Sequence, residues 1–383
     1  MAFEFLKPLD ASFLEYAGGL SVQSLAAKAV FHNESGVPDI DGAGIAIIGV
    51  LDNRGQGEKK QGIHLNYIRR EFYSLYPGNW NKKIIDLGNI TAGETLTDTY
   101  YAIKEIVAEL IKNKIIPIII GGSHDMAYGV YRAYDRLEQM VNYVSIDSRF
   151  DLGSENEPLS SRSYLTRIIV DEPNNLFNYS NIGFQTYYNS QEEIDLLDKL
   201  YFDAYRLGEV CRNISVAEPV LRDADFVSVD MTSVKSGDSG NIVKFNPNGF
   251  DGKEICTLAR YAGISDKVTS FGIFNHADTK QESVLISQVL WYFIEGVHYR
   301  SDEYPFVSRE NYIKFIVPME EGDVVFFKSD KTDRWWIELP IIQGTDNKIM
   351  RSTLLPCSYE DYLNACDNEY PEKLWKAQRK HII

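Results

Sequence analysis

"IIPIIIGGSHDMAYG", residues 115–129, is apolar on every position from Ile115 to Ile120, breaks at Gly121 and Gly122, and resumes with the polar opening of a helix. A strand with one face in water alternates in polarity, whereas a strand covered on both faces is apolar throughout, as in a central parallel sheet. The glycine pair lets the backbone turn sharply at the strand end and presents His124 where the helix begins. The same texture recurs at 43–51, 83–88, 141–147, 180–186, 225–231 and 268–274. Between these runs lie segments of helical period, near 62–76, 95–114, 124–138, 190–213, 250–263 and 280–298. Strands alternating with helices through right-handed crossovers predict an α/β fold: a three-layer αβα sandwich around a central parallel sheet. In such folds ligands bind beyond the carboxyl ends of the strands.

The outline of the chain is 1–41, an irregular lead-in; 42–300, the α/β domain; and 301–383, an appendage. In the appendage "DVVFFKSDKTDRWWIELPII" reads as two strands and a polar turn, and "SYEDYLNACDNEYPEKLWKAQRK" as a helical tail. A net charge of −16 with no basic stripe argues against nucleic acid as a partner. The four cysteines form no CxxC pair and read as free thiols, and no stretch is long and apolar enough to span a bilayer. With no secretory pattern at the start, a cytoplasmic location is expected, without a membrane partner. There is no P-loop, no GxGxxG and no GxSxG elbow.

Three strand ends carry chemistry. "GGSH" offers His124, "DSRFD" offers Asp147 and Asp151, and "SVDMT" offers Asp230 and Thr232. Taken singly, a histidine at a helix start or an aspartate in a turn is ordinary. Three such ends on one sheet point to a shared site. His276 with Asp278, and the isolated His32, His64, His298 and His381, offer weaker patterns, and Asp238 in "SGDSGN" stands as a spare carboxylate. "DRWWIEL" could suggest base stacking, but its acidic surroundings favour a packed hairpin or a subunit contact.

In this order the motifs resemble the ureohydrolases, the family of arginase, agmatinase and formimidoylglutamase, whose pattern is GGxH, then DAHxD, then SxDxD. "GIHLNYIRREF", "IIDLGNI" and "PNGFDGKEICTLA" add weaker echoes, and "HDMAYG" with "FDLG" is most similar to the formimidoylglutamase branch. The resemblance covers roughly residues 43–298. It implies an arginase-like fold, hydrolysis of linear amidines at two manganese ions, and a homo-oligomer. It places the first ion on His124, Asp147, Asp151 and Asp230, with Asp147 and Asp230 also catalytic, and a substrate loop at Ser160, Ser161 and Ser163.

The sequence departs from the pattern where the second ion belongs. Arg149 replaces the histidine of DAHxD, Thr232 replaces the last aspartate of SxDxD, and Asn275 aligns with a late-strand glutamate. Arginine stays protonated and accepts nothing. A guanidinium about 5 Å from a divalent ion is repelled by about 6 to 7 kcal/mol at an effective dielectric near 20. The expectation is therefore at most one divalent ion, manganese by resemblance, or none, with Arg149 acting as the cation that replaces the second ion and bonds the carboxylates. The ordinary alternative is that Arg149 swings out to a surface acid. Three functional readings follow: a binding, assembly or regulatory protein with lost or impaired hydrolysis and a small amidine or amino-acid ligand; a working amidine hydrolase with a mononuclear or rebuilt centre, for which Asp238 could swing in; or a structural subunit that uses the aromatic appendage as an interface, so that deleting residues 301–383 breaks an oligomer and leaves the core folded.

Overall fold

A computed structural model of the chain describes residues 2–57, 65–137, 139–154, 156–277, 279–303, 310–320, 322–339 and 354–380. His64, Asp278 and His381 lie outside the described residues.

The strands are β1 (Leu6–Lys7), β2 (Ala29–Phe31), β3 (Ala43–Leu51), β4 (Lys83–Thr91), β5 (Ile116–Ile120), β6 (Val141–Ile146), β7 (Leu176–Phe184), β8 (Asp203–Arg206), β9 (Phe226–Asp230) and β10 (Ser270–Phe274). They form one sheet in the order β1-β4-β3-β5-β10-β9-β6-β7-β8, with β2 also on β4. Every pairing is parallel except β1 with β4. The uniformly apolar runs are explained by the core. Ile45, Ile47, Ile118 and Ile120 point into one hydrophobic layer, while Ala46, Ile48 and Ile119 point into the other. Successive side chains alternate between faces, and here both faces are dry.

The covering helices include Leu96–Lys112, opened by a reciprocal cap between Thr95 and Asp98, and Lys280–His298, capped by Thr279. The helix Asn66–Ser74 buries Arg69, whose Nε donates to Asp86 Oδ2 at 2.8 Å, so the charged echo around "IRREF" is a structural ion pair.

Two expectations change. The segment 190–213 is not one helix: Gln191–Lys199 ends, Tyr201 takes a left-handed φ of 57°, and β8 pairs on the open side of β7 before Leu207–Arg212 resumes. An available sheet edge outweighs helical period there. The lead-in is also ordered, with a helix at Ala11–Gly18 and with β1 and β2 on β4, strands too short to show a period in sequence.

The appendage is a separate antiparallel sheet of β11 (Tyr312–Val317), β12 (Val324–Ser329), β13 (Trp335–Glu338) and β14 (Leu354–Cys357), followed by helices Tyr359–Cys366 and Glu372–Lys380. Trp335 and Trp336 are buried in different apolar clusters, so "DRWWIEL" is sheet core and offers no stacking platform. Arg222 of the α/β domain fastens the two parts. Its Nη2 donates to Trp335 O at 3.2 Å and Cys357 O at 3.0 Å, and its guanidinium lies 4.5 Å from the Trp336 ring. Lys376 adds an ion pair to Asp203 of β8 at 3.0 Å.

Deleting residues 301–383 would strip these partners from a guanidinium that is 6% exposed, so the core is not expected to survive the deletion unharmed. Arg222→Ala leaves both carbonyls and the ring face without their cation, and a loss of about 2–4 kcal/mol is expected in urea unfolding, with faster proteolytic removal of the appendage. An unchanged midpoint would show that the arginine does not hold the appendage.

Candidate metal centre

Four adjacent central strands, β5, β10, β9 and β6, end on the same edge of the sheet. After β5, Gly121 and Gly122 adopt φ of 93° and 78°, turning the chain so that His124 falls back beneath the edge. A Cβ on Gly122 would meet the Met126 side chain at 2.7 Å and Asp52 O at 2.9 Å, so the glycine pair is a steric requirement. β6 delivers Asp147 and Asp151, β9 delivers Asp230, and β10 delivers Asn275. Asp151 and Asn275 are both held at left-handed φ, 54° and 57°. Such conformations cost energy and persist where surrounding bonds impose them.

His124 is fully buried, and its Nδ1 lies 3.0 Å from Asp147 Oδ2, 3.3 Å from Asp230 Oδ2 and 3.5 Å from Asp151 Oδ2. These atoms crowd together without bonding well: His124 Nδ1, Asp147 Oδ2 and Asp151 Oδ2 are buried with no hydrogen bond of good geometry. Adjacent ligands around a divalent ion with bonds of about 2.1 Å sit roughly 3.0–3.4 Å apart, so the donors are spaced to face a common point. One imidazole and three carboxylates, all ligand atoms within 4.8 Å of one another, fit a divalent cation.

The surroundings aim these groups. His124 Nε2 meets Ser228 Oγ at 2.9 Å and the Tyr164 hydroxyl at 3.3 Å, and Tyr143 links those two hydroxyls at 2.8 Å each. This fixes the ring with Nδ1 toward the carboxylates. Asn275 Nδ2 donates to Asp230 Oδ2 at 2.5 Å, while its Oδ1 accepts from the His124 backbone N–H at 3.1 Å and from Gln56. Asn275 thus brackets two proposed ligands.

The electrostatics show how strongly the cluster wants positive charge. Burial, then the like charges of Asp230 and Asp151, push the Asp147 carboxyl well above the usual range. Burial also acts against ionised Asp230, but hydrogen bonding and charge from His124, with bonds from Thr232, outweigh it and hold that carboxyl near 2. Burial would neutralise His124, yet the three carboxylates overcome it and raise its pKa well above 6.5. Without an ion, the imidazolium is the local cation.

Arg149 does not take that part. Its Nη1 donates to Tyr188 O at 2.9 Å, and its guanidinium lies 4.2 Å from the Tyr188 ring centre. Among the described residues it makes no ion pair with Asp147, Asp151 or Asp230, and the expectation that it bonds those carboxylates is corrected. Nor does it swing out to a surface acid. The aromatic face and the carbonyl satisfy the guanidinium on the wall of the cleft, and loss of water followed by the like charge of Arg162 lowers its pKa. Its backbone N–H donates to Asp147 Oδ1 at 2.9 Å, and that of Thr232 to Asp230 Oδ1 at 2.7 Å.

Asp238 is also placed elsewhere: it accepts from Gly252 N at 2.7 Å and faces Lys235, serving the start of the helix Gly252–Gly263. His32 bonds Leu87 O, and His298 stacks on Trp80.

Above the cluster lies a cavity of about 530 Å³. Ser160 and Ser161 line it, but Ser163 is buried behind them, where its hydroxyl meets Ser160 Oγ at 2.9 Å and Pro158 O at 2.9 Å. Ser163 therefore shapes the loop from behind. Gln56, Tyr188 and Lys244 also line the cavity and were missed in sequence, because they come from segments with no motif of their own, whereas Arg162 lines it from within the expected serine loop.

Glu282, buried at the start of the helix Lys280–His298, accepts a bond from Ala277 N, and burial pushes its carboxyl up to about 8. The unfolded chain loses this proton near 4.5 and the folded chain near 8. The contribution is full below about 4.5 and fades as pH rises to 8. Glu282→Gln should therefore gain about 2–4 kcal/mol on the metal-free parent at pH 8.5 relative to pH 4.5, read from urea midpoints at both values. Parallel pH curves for the two proteins would reject this assignment.

The Arginase family model matches residues 43–280. A formimidoylglutamase of Staphylococcus epidermidis is 33% identical over 146 residues, which are 37% of this chain and 45% of that protein, so this match spans less than half of the relative. One from Staphylococcus aureus is 26% identical over 235 residues, 59% of this chain and 74% of the relative. Among solved structures, the Bacillus subtilis formimidoylglutamase superposes with a TM-score of 0.62 at 16% identity, covering 69% of this chain and 91% of that one. The Trypanosoma cruzi formiminoglutamase with Mn2+2 gives 0.60 at 17% identity, covering 68% and 96%. At these identities the superpositions establish the shared fold. Among the described residues no helix is long and apolar enough to cross a membrane.

Proposed function

The chain belongs to the arginase family, and from that premise we propose that its cleft is a one-ion site in which the two-ion hydrolysis implied by the family is impaired or lost, leaving a cytoplasmic binding, assembly or regulatory protein of the formimidoylglutamase branch. The observation that carries the reading is Arg149. It stands where the family pattern has a histidine ligand, offers no lone pair, and is held on Tyr188. Thr232, at the other dedicated position, gives its backbone N–H to Asp230 and supplies no carboxylate. His124, Asp147, Asp151 and Asp230 remain to hold a single ion, manganese by resemblance to relatives. When bound, such an ion would acidify a water molecule and polarise a ligand oxygen. The chain's own residues would orient the donors through Asn275 and the Ser228–Tyr164 hydroxyls.

A second reading, a working amidine hydrolase with a one-ion or rebuilt centre, is favoured by the intact donor cluster. One experiment separates the two. Protein saturated with Mn2+ is passed through a desalting column, its metal counted by mass spectrometry, and release of formamide from formimidoylglutamate and of urea from arginine or agmatine followed. The first reading expects one manganese per chain and release that is absent or only slightly above the protein-free rate. Brisk metal-dependent turnover establishes the second, and two ions per chain overturn the first.

A further inference from the structure

The cleft wall beside the aspartates carries a group of cations, and nothing so far accounts for them. Arg149, Arg162 and Lys244 all line the 530 Å³ cavity. Arg149 is fixed by a carbonyl and an aromatic ring, and neither it nor Arg162 has a carboxylate partner among the described residues. Lys244 Nζ donates to Gln56 Oε1 at 2.6 Å. The guanidinium fork matches an oxyanion in two-point geometry, and a fork already immobilised on a ring loses little freedom on binding.

We propose that this wall is an oxyanion subsite, so that the ligand turns an acidic group, a carboxylate or a phosphate, toward the centre rather than an amidinium. The proposal rests on the one-ion reading. With one divalent ion, the positive charges around the cavity are that ion, Arg149, Arg162 and Lys244, five in all, against Asp147, Asp151, Asp230 and Glu157, four in all. A monoanion brings the sum to zero, and a cationic amidine raises it to two. Arg149 thus sets a fixed cationic hydrogen-bond donor on the cleft wall as well as removing a ligand to the second ion. Ser160 and Ser163 spend their hydroxyls on each other and on Pro158 O, which leaves the cations as the recognition groups.

The test is calorimetric titration of the full chain, loaded with Mn2+, with glutarate, inorganic phosphate and agmatine at one ionic strength. At least one of the two anions binds with a Kd of about 1 mM or tighter. Arg149→Gln weakens it about tenfold or more, and Arg162→Gln, at an exposed position, weakens it by a smaller factor. Binding of glutarate alone identifies a carboxylate ligand, and binding of phosphate alone identifies a phosphate-bearing one. Agmatine binding as tightly as both anions, or anion affinity unchanged in both variants, overturns the proposal. The manganese count of the same samples is read separately: one ion with no anion binding rejects only the subsite, whereas two ions reject the one-ion reading.

Discussion

Arg149→His and Thr232→Asp, introduced together, should raise the manganese content from one to two ions per chain and bring formamide release from formimidoylglutamate up by on the order of a hundredfold or more over the parent. The charge change is what makes the pair effective. Losing a guanidinium and gaining a carboxylate alters the pocket by minus two, the charge of one divalent ion. Neither single change achieves this: histidine alone supplies a ligand without the compensating anion, and aspartate alone leaves the guanidinium in place. The backbone N–H groups of residues 149 and 232 survive both substitutions, so Asp147 and Asp230 keep the bonds that orient their Oδ1 atoms. A double variant that still binds one ion would show that the second position is closed for another reason, with the Asn275–Gln56 bracket the first place to look.

How much of this was legible in sequence follows from the range over which each signal acts. The β5 run and its glycines announce a buried parallel strand with a sharp exit, because burial on both faces and positive φ leave local marks. His124, Asp147, Asp151 and Asp230 do converge, because the three strand ends that carry them, β5, β6 and β9, lie on one sheet edge and leave them nowhere else to go. The direction taken by Arg149 was not legible. Sequence identifies its charge and its neighbours along the chain, but Tyr188 reaches it from the segment after β7, and only the folded sheet brings ring and guanidinium together. The same holds for the hydroxyl chain through Tyr143, Tyr164 and Ser228, whose members come from three separate elements. β8 escaped notice for a related reason: a four-residue edge strand takes its identity from the partner it lies beside.

Asp230→Asn tests the donor cluster most directly, since it keeps the side-chain volume while removing one carboxylate. Losing even an outer partner of a metal ligand commonly weakens affinity by about 10- to 100-fold, so loss of a ligand itself is expected to weaken it by about a hundredfold. With Mn2+ at 100 times the parental Kd, the parent gains about 2.7 kcal/mol from binding, whereas the variant, then near its own Kd, gains only about 0.4 kcal/mol. Thermal unfolding with and without Mn2+ reads this difference without requiring turnover. The dependence on pH has a fixed sign. Both His124 and Asp147 have raised pKa values in the ion-free fold, and both must lose their protons to act as ligands, so the manganese-induced gain should be larger at pH 8 than at pH 6. The variant lacks one of the carboxylates that raise the His124 pKa, so its imidazole should lose its proton at lower pH and the remaining gain should depend less on pH. Equal manganese-induced shifts in parent and variant at both pH values would place the ion somewhere other than beneath these four strands.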